Sequence, residues 1–372
     1  MILVIAIAIA LVIPFVFLLF LRKFDLHKTA KFHHNIITLG CGVAAYLLVS
    51  QINPAMVNAG WVTWDQVIRF TAPVIEEILK SLILLYLVSR ANFNYVVDGA
   101  LYGFGAGIGF AIVENIEYVD ANPENALIVA LSRVFSTNLM HAAGSGLIGT
   151  ALAYYRGEKV KQRGVWVVIG GYAVAIILHA IFNKMVTTVG TFLVFVFAIG
   201  YGVLGAVLIW YVIRRGMSEQ KQWVGEKLGE EDRVTKEETR AVTGIEKMVE
   251  TLLTPFKERF GDEKVPLVRE LLYKQAEIGI KRKLLESTPS PAKHKELEDI
   301  IQSLAKDMEG LRKQIGMYPM MFVREVYLGQ DFRVWDKIQA RITESSTGQK
   351  GGGLFDRVTD RIKEKSKEKD QA

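Results

Sequence analysis

Hydrophobic residues fill the first 213 positions of this 372-residue chain in blocks of about twenty, parted by short polar breaks. A bilayer core about 30 Å thick needs about 20 apolar residues in a helix. The blocks give seven expected spans, at about 2–21, 35–53, 66–89, 97–118, 127–153, 165–188 and 191–213. The first has no basic residue ahead of it, and Arg22 and Lys23 follow it. It reads as a membrane anchor rather than a cleaved signal peptide. Span four carries Gly103, Gly105, Gly107 and Gly109, a spacing that lets helix backbones approach closely.

The pattern changes after Arg214. Val242, Ile245, Val249, Leu252 and Phe256 recur every three or four residues, as on the packed face of a helix. Leu297, Ile300, Leu304, Leu311 and Ile315 do the same beyond the breaker at 287–291, and Val268, Leu271 and Leu272 mark a helix between them. From Ser345 the chain passes through Gly351–Gly353 into a tail rich in Lys and Glu, expected to be mobile. The expected architecture is all-α: a polytopic membrane bundle of about seven helices over 1–213, a cytoplasmic helical domain over 214–345 and a charged tail over 346–372.

Charge supports that division. Residues 1–213 hold only 13 of the 45 Lys and Arg and 10 of the 39 Asp and Glu. The excess of base is small and evenly shared, so no nucleic-acid partner is implied. In the first part the basic residues mark orientation. They follow span one (Arg22, Lys23, Lys28, Lys31), span three (Arg90), span five (Arg156, Lys159, Lys161, Arg163) and span seven (Arg214, Arg215). The alternate segments are nearly free of them, which places the N-terminus outside and the C-terminal part in the cytoplasm. Trp61 and Trp64 suit the outer interface. The single cysteine, Cys41, excludes an intramolecular disulfide and a multi-cysteine metal site.

Span three breaks the apolar rule, because Arg69, Glu76, Glu77 and Lys80 lie within it. A charge at bilayer depth costs about 2.5–3.5 kcal/mol on insertion scales, so such residues face a polar interior and usually serve a site. At about 100° per residue, Arg69, Pro73, Glu76, Glu77 and Lys80 share one arc of the helix. Span four adds Phe110, Glu114, Glu117 and Tyr118 with Asn115 beside them, span five adds His141, and span six adds His179 and Asn183. A salt-bridge network alone would account for Glu76 and Lys80 but not for the histidines and Asn183. Arg133 and Asp98 read as structural or interfacial. Carboxylates withdrawn from water become more basic and can take a proton from it near neutral pH, and imidazole and carboxamide can bind a developing oxyanion. The set therefore suits hydrolysis. Neither a Gly-x-Ser-x-Gly elbow nor a His-Glu-x-x-His helix is present. No cofactor is implied, although a Glu and His site has the donors for a divalent metal such as zinc, and the choice stays open at this stage.

Glu76-Glu77-x-x-Lys80, Phe110-x-x-x-Glu114-Asn115, His141 and His179-x-x-x-Asn183, in this order on successive spans, resemble the PrsW-type intramembrane proteases. These belong to the wider superfamily of CAAX prenyl endopeptidases and abortive-infection proteins. The likeness covers about 70–190. It implies a glutamic-type membrane endopeptidase in which Glu76 activates water, Glu114 assists, Glu77 supports the pair, His179 and Asn183 bind the oxyanion, and His141 orients water or substrate. Lys80, Phe110 and Asn115 would support them. The prenyl endopeptidases carry an Arg five positions after the first Glu, where this chain has Ser81, which favours the PrsW branch. The implied partners are a membrane-protein substrate, such as an anti-sigma factor, the lipid bilayer, and a protein that docks on the cytoplasmic helices. Two other classes fit the buried charges: a non-catalytic scaffold or immunity-type protein, and a proton- or ion-coupled transporter. The transporter lacks an internal repeat of its spans. From the residues' positions along their spans, the polar cluster is expected in the outer half of the bilayer.

Overall fold

A computed structural model describes residues 1–21, 32–91, 93–158, 160–188, 191–228, 234–244, 247–288 and 290–325. The basic residues expected just after span one, Lys159, and everything from 326 on, including the charged tail, lie outside the described residues. No strand occurs among the described residues. The helices in chain order are α1 (Ile2–Leu21), α2 (Phe32–Asn58), α3 (Trp64–Gln66), α4 (Ala72–Val88), α5 (Val96–Asp120), α6 (Ala126–Phe135), α7 (Thr137–Gly157), α8 (Lys161–Thr188) and α9 (Thr191–Lys227). They are followed by α10 (Lys236–Thr243), α11 (Thr254–Phe260), α12 (Val265–Ser287), α13 (Pro291–Ile315) and α14 (Met317–Glu325).

Five described segments are long and apolar enough to cross a membrane: Ile2–Leu21, Phe32–Asn58, Val96–Asp120, Pro123–Gly157 and Lys161–Thr187. Expected span three is not among them because its helix, α4, has 17 residues and carries Glu76, Glu77 and Lys80. It is nevertheless built for lipid. Val74, Ile78, Leu82 and Leu85 are exposed while Glu77, Lys80 and Ser81 are buried. A helix with its apolar residues outward and its charges inward is stable only where the surroundings are as apolar as hydrocarbon. Expected span seven is the first part of α9, a 37-residue helix that runs unbroken past Arg214.

α5 is the axis of the bundle and is enclosed almost completely. Its glycines serve two faces. Gly99, Gly103 and Gly107 lie against the α7 backbone at Gly149, Ser145 and His141. Gly105 and Gly109 lie against α2 at Thr38 and Leu39, and Gly42 of α2 answers at Ala106. Without side chains at these positions the helices approach to backbone contact. Tyr102, Phe104 and Ile108 fill the space between the glycine rows, and α4 and α8 pack beside α7.

Two prolines set local geometry. Val67–Thr71 is a π turn, and the Ala72 amide bonds back to the Val67 carbonyl. Pro73, next in the chain, has no N–H to offer Arg69, so the ladder widens by one residue ahead of it. Pro255 follows the second π turn, Val249–Leu253, in the same way. That turn rotates the helix, so Val249, expected on a packed face, is exposed while Leu252, Leu253 and Phe256 are buried. Span five is bent as well. Ser136 breaks it into α6 and α7, and its hydroxyl bonds the Ser132 carbonyl at 2.7 Å in place of continuing the ladder.

Beyond α9 the helices pack around Leu271, Leu272, Ile280, Leu297, Leu304 and Ile315, with α12 and α13 antiparallel about the expected breaker. α12 also lies along α9, and the fully buried Lys281 donates to the Ala91 carbonyl at 2.5 Å, at the turn between α4 and α5.

Gly107→Ala should destabilise the bundle by about 1–3 kcal/mol, because a Cβ there meets the His141 carbonyl. Gly170→Ala has open space and should be neutral or stabilising by up to about 1 kcal/mol through helix propensity. Unfolding of the two variants in detergent checks the opposite signs.

Candidate active site

The polar residues of α4, α5, α7 and α8 meet at one end of the bundle. Glu76 lies four residues after the start of α4, His141 four after the start of α7, and Glu114 six before the end of α5. His179 lies nine before the end of α8. Alternating helix directions bring these positions to a common level, on the side of the turns at 59–63 and 121–125.

Lys80 is the centre of the cluster. Its ammonium donates to Glu77 Oε1 at 2.7 Å and to His141 Nδ1 at 2.8 Å, and stands 4.8 Å from the centre of the Phe110 ring. An ammonium has no lone pair, so His141 Nδ1 is the acceptor and its proton sits on Nε2. That N–H donates to Glu114 Oε2 at 3.0 Å. The Gly107 crossing holds the His141 backbone against α5, two turns from Glu114. Phe110 fixes the ring, 4.9 Å between centres, and is itself packed by Tyr46.

Glu77 Oε1 also accepts from His179 Nδ1 at 3.0 Å. In its neutral form His179 therefore turns its Nε2 lone pair outward, toward Glu76 Oε2 at 3.6 Å. That oxygen is buried and has no hydrogen-bond partner. Two acceptors face each other there, an arrangement complementary to a proton, a water or a cation between them. Glu77 Oε2 is likewise buried without a partner, beside Gly144, which leaves room for it.

Arg133, expected to be structural or interfacial, lies at the site, on α6 just before the break at Ser136. Its guanidinium pairs with Glu114 Oε2 at 2.9 Å, and Nε donates to Asn115 Oδ1 at 2.9 Å. Tyr118 lies under it at 3.7 Å. Asn115 is thus brought in through Arg133 and approaches Asn138 at 3.5 Å. Arg133 was legible as an ionisable residue inside a span; its direction was not. Three expected members stand apart from the centre. Asn183 Nδ2 donates to the Ile68 carbonyl in the π turn at 3.0 Å, Arg69 pairs with Asp65 at 2.8 Å, and Glu117 accepts from Tyr46. Asp98 accepts from Asn94 at the start of α5, a structural place.

Ligand atoms of Glu76, His141 and His179 lie within 4.8 Å of one another. Two imidazoles and a carboxylate with a further position open is a donor set suited to catalytic zinc, and a carboxylate behind a ligand histidine, as Glu77 stands behind His179, is the usual second layer. The unpartnered Glu76 oxygen fits the same use. His141 would have to release Lys80 or Glu114 to join.

Arg133→Met should leave Glu114 without its ion pair and cost roughly 1–3 kcal/mol. Adding Glu114→Gln should recover part of that loss. A double-mutant cycle on unfolding free energy reads the coupling, and a coupling near zero would remove Arg133 from the network.

Comparison with known proteins bears on this geometry. Residues 30–217, half of the chain, match the family described as "PrsW family intramembrane metalloprotease". The chain is 28% identical to Protease PrsW of Clostridioides difficile (strain 630) over 114 residues, covering 30% of this chain and 48% of that protein. It is 27% identical to Protease PrsW of Bacillus subtilis (strain 168) over 124 residues, 32% of this chain and 53% of the relative. The chain thus spans about half the length of the curated relatives it matches. No solved structure matches. All four site helices, with every charged group described above, fall inside the matched stretch, and the chain belongs to the PrsW family.

Proposed function

We propose that this protein is an intramembrane endopeptidase that cuts membrane-anchored proteins with water activated at Glu76. The observation that carries this reading is the buried Glu76 Oε2, unpartnered and facing His179 Nε2 at 3.6 Å. A water placed between them gives one proton to Glu76, and the hydroxide attacks the scissile carbonyl carbon. Glu76 then returns that proton to the leaving amine, so water is added across the C–N bond. His179 holds the water rather than the oxyanion, because its Nδ1–H is committed to Glu77. The oxyanion falls to donors at the exposed rim, the Arg133 fork and the Asn183 amide, the latter after exchange from the Ile68 carbonyl. His141 and Lys80 keep Glu77 and Glu114 in place. A divalent metal such as zinc would be held by Glu76, His141 and His179 and would supply a Lewis acid for the carbonyl and a more acidic water.

The resemblance points to an anti-sigma-factor-like substrate, and the Glu-Glu motif to kinship with the prenyl endopeptidase superfamily. The site opens toward the end of the bundle where Glu114 and Arg133 are partly exposed, at 19% and 16%. By the basic loops that end is the outer one, so cleavage falls on the extracytoplasmic side. Residues 214–345 serve as a cytoplasmic domain.

Glu76→Gln should lower cleavage of co-expressed membrane proteins by about 10²–10⁴-fold while leaving membrane expression intact. Turnover equal to wild type would remove the base. Phenanthroline separates the two forms of the reaction: cleavage that survives it assigns water activation to the side chains alone, and loss restored by zinc assigns the metal.

The orientation is checked by labelling. A tag between 119 and 126 should be reachable from outside intact cells, and a reporter after Ala372 should behave as cytoplasmic. The reverse pattern would overturn both the orientation and the side of cleavage.

A further inference from the structure

At the end of the bundle opposite the candidate site, three cations line one cavity, and none of them forms an ion pair among the described residues. The cavity measures 280 Å³ and sits where α4 ends at Val88, α7 ends beside Arg156, α8 begins at Lys161, and α13 begins beside Lys293. Arg156, Lys161 and Lys293 line it, with hydroxyls of Ser89, Ser287, Thr288 and Ser290 and no carboxylate.

The partners of these cations are dipoles. Arg156 donates through Nη1 to the Val88 and Arg90 carbonyls at the end of α4. A guanidinium carries five N–H donors, so Nε and Nη2 are left over. Lys161 donates to the Tyr155 and Arg156 carbonyls at 3.1 and 3.2 Å. Lys293 is exposed. None of the three forms an ion pair among the described residues. The acids that Arg156 feels, Asp98 and Glu296, and the one that Lys161 feels, Glu158, lie outside the lining, and Asp98 accepts from Asn94. The N-terminus of the 25-residue α13 adds its positive end, and its cap residue Ser290 makes no capping bond.

The position of the cavity says what the anion is attached to. Three span ends meet there, so it lies at headgroup depth. Val88, Tyr155 and Leu297 make the rest of the wall apolar. The chemistry called for is a phosphate monoanion or dianion carried on something amphipathic.

We propose that this cavity binds the phosphate-bearing headgroup of an anionic membrane lipid, with the acyl chains leaving past Val88 into the bilayer. The bound phosphate then joins the end of α4, the α7–α8 turn and the start of α13 through one shared charge. It fastens the C-terminal helices to the membrane bundle at the far end of the helix that carries Glu76 and Glu77.

The test uses the full chain purified in detergent and native mass spectrometry, and needs no proteolysis. The probes are dioleoylphosphatidylglycerol and dioleoylphosphatidylcholine. Wild type should retain the anionic lipid roughly ten-fold over the zwitterionic one. Lys293→Glu, at an exposed position without structural bonds, should cut that retention roughly ten-fold. Lys161→Gln should weaken it by a smaller factor, and Lys293→Glu should unfold at the wild-type temperature in phosphatidylcholine. Equal retention of the two lipids by wild type, or an unchanged preference in Lys293→Glu, overturns the site. Soluble glycerol 3-phosphate distinguishes the source of the phosphate. Stabilisation by it, with none by phosphatidylglycerol, overturns the lipid in favour of a free phosphate ligand.

Discussion

The burial of the Lys80 ammonium is the constraint on which the rest of the bundle depends. A charge with no water must be compensated by groups that reach it, and those groups lie on its own helix and on α5 and α7. Glu77 neutralises it from its own helix, and His141 accepts from it across the bundle. Through His141 the chain of contacts passes to Glu114 and then to Arg133, which reaches the rim. Each carboxylate in the chain sits beside a cation, and each histidine has its proton placed by a neighbour. Only Glu76 is outside this compensation, and its Oε2 is left without a partner.

Backbone contact makes these reaches possible. His141 and Glu114 are short side chains on different helices, and they meet because Gly107 lets α7 approach α5. The glycine row is therefore part of the site, although no glycine touches the reacting groups. The π turn ahead of α4 acts at the same level: it is imposed by Pro73 and presents the Ile68 carbonyl that Asn183 holds.

Much of this was legible in the sequence, for physical reasons. Ionisable residues are so costly in an apolar span that their presence marks the site, and helical spacing puts Glu77 and Lys80 on one face. Small residues four apart announced a close crossing. What failed to show was direction where a helix is not regular. The break at Ser136 divides 127–153 into two helices, so one helical period across that span does not give the face on which Arg133 lies. A uniform helix over 242–256 buries Val249; the π turn before Pro255 exposes it. The expected spans three and seven differ for a related reason. α4 is shorter than expected span three because the π turn at 67–71 takes the first residues, and its charges face inward while Val74, Ile78, Leu82 and Leu85 face outward. The long α9 crosses the expected boundary at 213 without a break, because nothing in its backbone requires one.

The two ends of α4 have opposite electrical demands, and the helix connects them. Near its start Glu77 needs a cation, which Lys80 provides. At its other end the Val88 carbonyl lies at the negative end of the helix dipole, and Arg156 holds it together with the Arg90 carbonyl just beyond the helix. Seventeen residues in a regular helix make a rod about 25 Å long. A displacement of Val88 along the axis is therefore a displacement of Glu76 by nearly the same amount. The gap that receives water between Glu76 and His179 is 3.6 Å. A shortening of roughly half an ångström brings the two within direct hydrogen-bond distance once a proton lies between them. The end that Arg156 holds and the start that carries Glu76 are thus parts of one rigid element.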